Sequence, residues 1–204
     1  MISANVESPK LSTAESIREA AIDLFFEHGY EATSLRAIAG QVGIQVGSLY
    51  NHLTSKESLL YSIMSKIIED LLNELDSRLA TVTGSVDRLR VGIEVHVFFH
   101  TARAREVFIG NTELRSLTPA HRRKVVKLRD QYEQRFVEVI EQGVADGSLQ
   151  ARDAKLSAWA ILAVGTSTST WFRHDGRLHL DDIATLYTDL ILNGLATGRT
   201  ANKR

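Results

Sequence analysis

Thr33–Leu53 reads TSLRAIAGQVGIQVGSLYNHL, two short apolar stripes on either side of Gly43. Thr33 stands in an N-cap position, and Leu35, Ile38, Ala39 and Val42 follow at helical spacing. A second short helix is expected from Gln45 to His52. The small Ala39, four positions before Gly43, lets that helix cross the first one closely. Gly43 supplies a turn conformation that a residue with a Cβ resists. Ile38, Val42, Ile44 and Leu49 then fill the core between the pair. This is the pattern of a helix-turn-helix, which holds the N-terminal half of its second helix in a major groove. An ordinary αα-hairpin carries the same apolar spacing and is the alternative.

Upstream, Ser12-Thr13-Ala14-Glu15 is a capping box. It opens a helix with Ile17, Ala20, Ala21, Leu24 and Phe25 on one stripe, closed by Gly29. Downstream, Ser55 caps a long helix carrying Leu59, Leu60, Ile63, Ile67, Leu71 and Leu75. Lys56 opens that helix, where the macrodipole disfavours a cation by roughly 0.3–1 kcal/mol. A neighbouring phosphate would reverse the preference, making Tyr50, His52 and Lys56 a line of phosphate donors. A solvated Lys56 is the alternative.

ATVTGS at 80–85 marks a turn between a small N-terminal unit and a larger C-terminal one. Helices are expected at Ser85 to about Arg103, Val107 to Ser116, Pro119 toward Gln142, Asp153 to Arg173 and Asp181 to about Leu195. Residues 1–10 and 198–204 read as loose ends. With two Pro in 204 residues and a 3.6-residue period almost throughout, the chain is expected to be all-α with nine helices.

Hydrophobic residues make up 44% of the chain, enough for a core and against disorder. The absence of Cys removes disulfides, thiolate metal sites and a thiol nucleophile. The longest apolar run, Trp159 to Val164, is far short of the roughly 20 residues of a membrane span. MISANVESPK lacks the basic start and apolar run of a signal peptide. A soluble, cytoplasmic protein is expected. Charge argues against nucleic acid: residues 1–60 hold Lys10, Arg18, Arg36 and Lys56 against seven Asp and Glu, a net −3. The case for DNA rests on spacing.

Residues 12–60 resemble the DNA-binding domain of the TetR family of bacterial transcriptional regulators. The stretch AAIDLFFEHGYEATSLRAIAGQVGIQVGSLYNHLTSKESLL carries the resemblance through Phe25, Gly29-Tyr30, Thr33-Ser34, Ile38-Ala39, Gly43, Gly47, Leu49-Tyr50, His52 and Lys56-Glu57. Gln45 stands where Ser or Thr is frequent, and Leu53 where Phe is usual. The resemblance implies a reader over residues 11–58 and a ligand-binding, dimer-forming helical bundle over 59–197, joined by the long helix. It makes Arg36, Gln45, Val46 and Ser48 candidates for base edges: Arg can address guanine, Gln adenine, and Val a thymine methyl. Arg36 could equally pair with Glu31 or a phosphate. Thr33, Tyr50, Asn51, His52 and Lys56 become candidates for phosphates, and Gly47 for close backbone approach.

In the C-terminal half, Ile183, Leu186, Tyr187, Leu190, Ile191 and Leu195 form an apolar stripe that needs a cover. The preceding helix is apolar or small almost all round, with Ala158, Ala160, Ala163, Gly165, Ser167 and Ser169. The family pattern places the two helices, 153–173 and 181–195, in an intermolecular four-helix bundle; plain intramolecular core is the alternative. His96, Phe99, His100, Tyr132, Phe136 and Trp159 are candidates to line an effector pocket, with Phe98, Phe108 and Trp171 further aromatics that could equally be core. His96 and His100 share a helix face at metal-binding spacing, but no clear third ligand accompanies them. A ligand-bonding histidine or a satisfied core pair is the readier reading, and neither metal nor cofactor is implied. His121-Arg122-Arg123-Lys124 with Lys127 and Arg129 reads as a solvated face or a site for an anionic ligand. The tail 170–195 is similar to tails of TetR-type regulators of fatty-acid and steroid breakdown, some of which sense acyl-CoA thioesters.

Together these readings predict a DNA-binding regulator that holds a palindromic operator as a homodimer. A small hydrophobic or acyl-CoA-like effector would release it by tilting the long helix. Activation in place of repression is open. An all-helical enzyme and a dimeric adaptor are the rival classes; for the first, no G-x-S-x-G, phosphate loop or H-E-x-x-H is present.

Overall fold

The computed structural model describes residues 11–195, so the loose ends expected at 1–10 and 198–204, and the last two residues of the 59–197 unit, lie outside the described residues. These fold into nine α-helices and one 3₁₀ turn: α1 Thr13–His28, α2 Leu35–Val42, α3 Val46–Leu49, α4 Lys56–Leu79, α5 Ser85–Ala102, α6 Ala104–Thr112, the 3₁₀ turn Leu114–Ser116, α7 Pro119–Ala145, α8 Ala154–Trp171 and α9 Leu180–Leu195. Among the described residues there is no strand. No helix there is long and apolar enough to cross a membrane.

The local signals act as the sequence dictates. Ser12 Oγ accepts from the Glu15 amide, while Glu15 Oε2 accepts from the Ser12 amide at 2.8 Å, which starts α1. Gly43 sits in the left-handed region at φ +76° and ends α2, its amide donating to Ala39 and Gly40. Ser55 and Ser58 exchange caps at the start of α4. Thr118 caps α7, with Pro119 at its first position.

Three boundaries differ. Ser34, not Thr33, caps α2: Ser34 Oγ accepts from the Ala37 amide at 3.1 Å. Thr33 is buried, and its hydroxyl donates to the carbonyls of Gly29 (2.9 Å) and Leu24 (3.1 Å) at the end of α1. The helix expected from Gln45 to His52 is a single turn, continued by turn bonds from His52 and Leu53 to the Leu49 carbonyl. The sixth helix begins earlier, at Ala104, and breaks before the 3₁₀ turn.

Two hydrophobic cores hold the chain together, and α4 belongs to both. Leu59, Leu60, Ile63, Met64, Ile67 and Ile68 complete the core built by α1, α2 and α3. Leu71, Leu75 and Leu79, farther along the same helix, pack with α5, α7, α8 and α9. At about 1.5 Å per residue, the 24 residues of α4 span roughly 36 Å. α6 closes against α1 through the Phe26–Phe108 edge contact and the Arg105–Asp23 ion pair.

α5 is the central helix of the second unit, with α4, α7, α8 and α9 around it. The small residues of α8 divide between two faces. Ala158 and Gly165 are buried with Ile161 and Thr168, whereas Ala160, Ala163 and Ser167 are exposed. The exposed stripe also carries Leu156 (60% exposed) and Trp159 (49%), and α9 presents Leu186 (55%) and Leu190 (68%).

Candidate nucleic-acid interface and ligand chamber

The N-terminal unit exposes Arg36, Gln45, Gly47, Ser48, Tyr50, Asn51 and His52 on α2, α3 and the turns before and after α3. Arg36 makes no ion pair with Glu31 among the described residues. Val46 is half-buried against the core, so only part of its side chain is open to a ligand. Gln45 makes no side-chain cap, which leaves its amide free to bond elsewhere.

Two of the expected phosphate contacts are occupied by the protein itself. Thr33 is buried and bonded as described above. Lys56 Nζ donates to the carbonyls of Tyr30 (2.8 Å), Thr33 (2.9 Å) and Glu31 (3.4 Å) and lies 4.2 Å from the centre of the Tyr30 ring. The dipole penalty on Lys56 is therefore offset within the protein by backbone carbonyls and a π face. Its job here is to clamp the α1–α2 loop onto the start of α4.

The next residue, Glu57, faces the other way. Its Oε1 accepts from the Thr118 amide at 2.8 Å and from His121 Nδ1 at 2.9 Å, and the His121 ring stacks on Tyr61 with centroids 4.0 Å apart. Burial raises the Glu57 pKa, but the bonds from Thr118 and His121 outweigh that and hold it below its ordinary value. So α4 is tied at its first turn both to the reader and to α7. The sequence carried no signal for this link beyond the basic run that includes His121.

A chamber of about 210 Å³ opens between α4, α5, α6, α7 and α8. Met64, Ile67, Ile68 and Leu71 give it an apolar wall from α4, and His96, Phe99 and His100 line it from α5, with Tyr132 from α7. Two expected lining residues are elsewhere. Phe136 is buried one turn from Tyr132, its ring edge-on to the tyrosine at 5.5 Å, and packs beneath the chamber rather than facing it. Trp159 is on the outer face of α8, because the helix turns Ala158, Ile161 and Gly165 inward.

The polar groups of the chamber form a hydrogen-bonded chain whose proton positions follow from the character of the partners. His96 Nε2 is 3.0 Å from the Leu162 carbonyl, which can only accept, so Nε2 carries the proton, and Thr166 Oγ1 lies 3.1 Å from the same nitrogen. Nδ1 of His96 then accepts from the Tyr132 hydroxyl at 2.9 Å. His100 Nδ1 donates to the His96 carbonyl at 2.9 Å, and the two rings lie 3.9 Å apart. Burial, with the neighbouring His100 as a smaller cause, holds His96 well below the ordinary histidine value, and burial brings His100 down to about 4. Burial pushes the Tyr132 hydroxyl well up. Both nitrogens of His96 are engaged, so the pair does not offer two ligands to one metal ion. Arg129 also reaches the chamber: its guanidinium donates to the Gly110 carbonyl at 2.7 Å, and burial lowers its pKa. In the sequence Arg129 lies within a basic run, where residue type does not separate it from its solvated neighbours.

Residues 17–63 match the family of bacterial regulatory proteins, tetR family, and residues 83–195 match the tetracyclin repressor-like C-terminal domain. The HTH-type transcriptional repressor KstR2 of Rhodococcus jostii strain RHA1 is 29% identical over 192 residues, 93% of this chain and 94% of that one. A bacterial regulatory protein in the tetR family from Rhodococcus RHA1 has a crystal structure that superposes with a TM-score of 0.86 at 30% identity, covering 93% of this chain and all of that one. AibR, in a crystal structure with isovaleryl coenzyme A and operator DNA, superposes with a TM-score of 0.81 at 27% identity over 88% of this chain and 97% of its own. The two family matches cover both the helix-turn-helix unit and the helical bundle, and the chain belongs to the TetR family of DNA-binding transcriptional regulators.

Proposed function

We propose that the protein is a cytoplasmic repressor that holds a palindromic operator as a homodimer and is released by an apolar or acyl-CoA-like effector seated in the chamber. The observation that carries this reading is the course of α4. The helix that walls the chamber with Met64, Ile67, Ile68 and Leu71 is the one whose first residues, Lys56 and Glu57, hold the reader and α7. A ligand that displaces the wall displaces the reader. To act as a switch it must prefer the released arrangement by a few kcal/mol.

In this reading residues 11–58 read DNA and 59–197 bind effector and partner. Arg36, Gln45, Ser48 and the open part of Val46 address bases, Gly47 allows close approach, and Tyr50, Asn51 and His52 reach phosphates. The exposed Leu156, Trp159, Leu186 and Leu190 of α8 and α9 meet the same face of a second copy. The chamber, at about 210 Å³, is smaller than the roughly 300–1,000 Å³ of a drug-sized ligand site. It suits the apolar portion of an effector rather than a whole thioester, and the complex of AibR with isovaleryl coenzyme A supports the class.

The test is selection of random duplexes by the purified protein, followed by sequencing of the bound pool and titration of the enriched duplex with short acyl-CoA thioesters. A two-half-site palindrome released by thioester is the expected result. Enrichment without a palindrome overturns the dimeric reader, and a palindrome unaffected by thioesters overturns the effector class. Gln45→Ala is expected to relax base preference at one position in each half-site, a change of about 1–3 kcal/mol in discrimination.

A further inference from the structure

His100 is 9% exposed and lines the chamber, yet only one of its ring nitrogens is used. Nδ1 donates to the His96 carbonyl, which fixes the tautomer: Nε2 carries no proton and presents a lone pair. That nitrogen has no hydrogen-bond partner among the described residues. It is not sealed into protein either, since Thr188 Oγ1 is the fully enclosed side-chain polar atom without a partner there. Most of the chamber's other polar side chains are engaged: Tyr132 and Thr166 are bonded to His96, Glu106 to Arg103, Arg129 to the Gly110 carbonyl, and Glu133 is paired with Lys155, while Asn111 makes no side-chain hydrogen bond among the described residues. With the ring neutral near pH 7, an open acceptor faces the void beside an apolar wall.

An unmet acceptor in such a place is costly to cover with a purely apolar ligand and favourable to cover with a donor. We infer that His100 Nε2 is a specificity-determining acceptor, which selects effectors that carry an O–H or N–H donor on an otherwise apolar body. This deepens the reading of the chamber as the effector site and rests on it. A thioester whose acyl portion lacks a donor leaves Nε2 unmet, whereas a hydroxylated or amide-bearing one satisfies it.

The test uses 4-propylphenol and its methyl ether 4-propylanisole, which lacks the donor and carries one more methyl group, titrated calorimetrically into the full-length protein. The phenol is expected to bind about tenfold more tightly, the difference between a made and an unmade buried hydrogen bond. In protein with ¹⁵N-labelled histidine, the His100 Nε2 resonance should move with the phenol and stay with the anisole. His100→Leu should equalise the probes, and His100→Gln, which keeps an acceptor, should restore part of the preference. Equal binding of the two probes to the unmodified protein overturns the inference alone and means that water serves Nε2. Failure of both probes to bind overturns the reading of the chamber as a ligand site and the inference with it. The comparison on unmodified protein holds even where a variant does not fold.

Discussion

At Gly165 the backbone of α8 lies directly against the His96 ring of α5, and replacing it with Ala measures how tightly the chamber's polar chain is held. A Cβ at this position would overlap His96 Cδ2 and stand 3.1 Å from Nε2. The ring has no free direction: the Tyr132 hydroxyl holds Nδ1, Leu162 and Thr166 hold Nε2, and His100 covers a face. Gly165→Ala gains up to about 1 kcal/mol of helix propensity. Against that, overpacking a buried contact costs about 1–3 kcal/mol. Pushing His96 off its partners leaves buried polar atoms unmet, a further 1–3 kcal/mol or so. The expected net loss is about 1–5 kcal/mol, and at roughly 2–4 °C per kcal/mol for a chain of this size the melting temperature falls by about 2–20 °C. Thermal unfolding followed by circular dichroism at fixed protein concentration reads it. Gly40→Ala is the control: Gly40 lies inside α2 with nothing within 4 Å of the added Cβ, and a gain of about 0.5–1 kcal/mol is expected. If Gly165→Ala melted at or above the unmodified protein, the close α5–α8 packing would be wrong.

Three further outcomes are expected. Lys56→Met removes three carbonyl contacts and should weaken binding to every duplex by loosening the reader, yet leave the slope of log affinity against log salt unchanged. A drop of about 0.9 in that slope would return Lys56 to the phosphate backbone. Thr188→Val deletes a buried hydroxyl that has no partner among the described residues and should be neutral or stabilising by up to about 1 kcal/mol in urea denaturation; a clear loss would reveal a partner for it. The His100 pKa is about 4 in the folded chain against an ordinary 6.5, so the unfolded chain binds more protons between those values. Its contribution is full above about pH 6.5 and lost as pH falls toward 4, an effect of about 3 kcal/mol that His100→Leu should remove from denaturation curves at stepped pH, leaving the part contributed by the likewise depressed His96.

Features decided within one or two turns were legible in the sequence. The Ser12–Glu15 box, Gly43, Ser55 and the Thr118-Pro119 start all depend on neighbours three or four residues away, and each stands where it was expected. Thr33 and Ser34 are both able to cap α2, and only the packing of α1 decides that Thr33 turns inward. Lys56 looked free because its carbonyl partners lie 23 to 26 residues upstream. Trp159 and Arg129 depend on the rotational phase of α8 and α7 against their neighbours. A stripe that is apolar on nearly all sides leaves that phase open for Trp159, and a run of cations does so for Arg129. The aromatic and histidine content of the chamber could be read from residue type, but which atoms remain unbonded could not.

The sharing of α4 between two cores sets a rule for recombining this protein with its kin. A cut at the turn before Ser55 looks natural on the linear map, but it separates Leu59, Leu60, Ile63, Met64, Ile67 and Ile68 from the three helices they cover. A reader grafted from such a cut would arrive with its floor missing, and the recipient would keep a floor shaped for another reader. A workable splice lies after Ile68, where the helix passes from one core to the other, and it carries the α1–α6 seam at Phe26 and Phe108 as a second junction to be matched. The unit of inheritance that keeps both sensing and reading intact is thus a helix longer than the motif that names it.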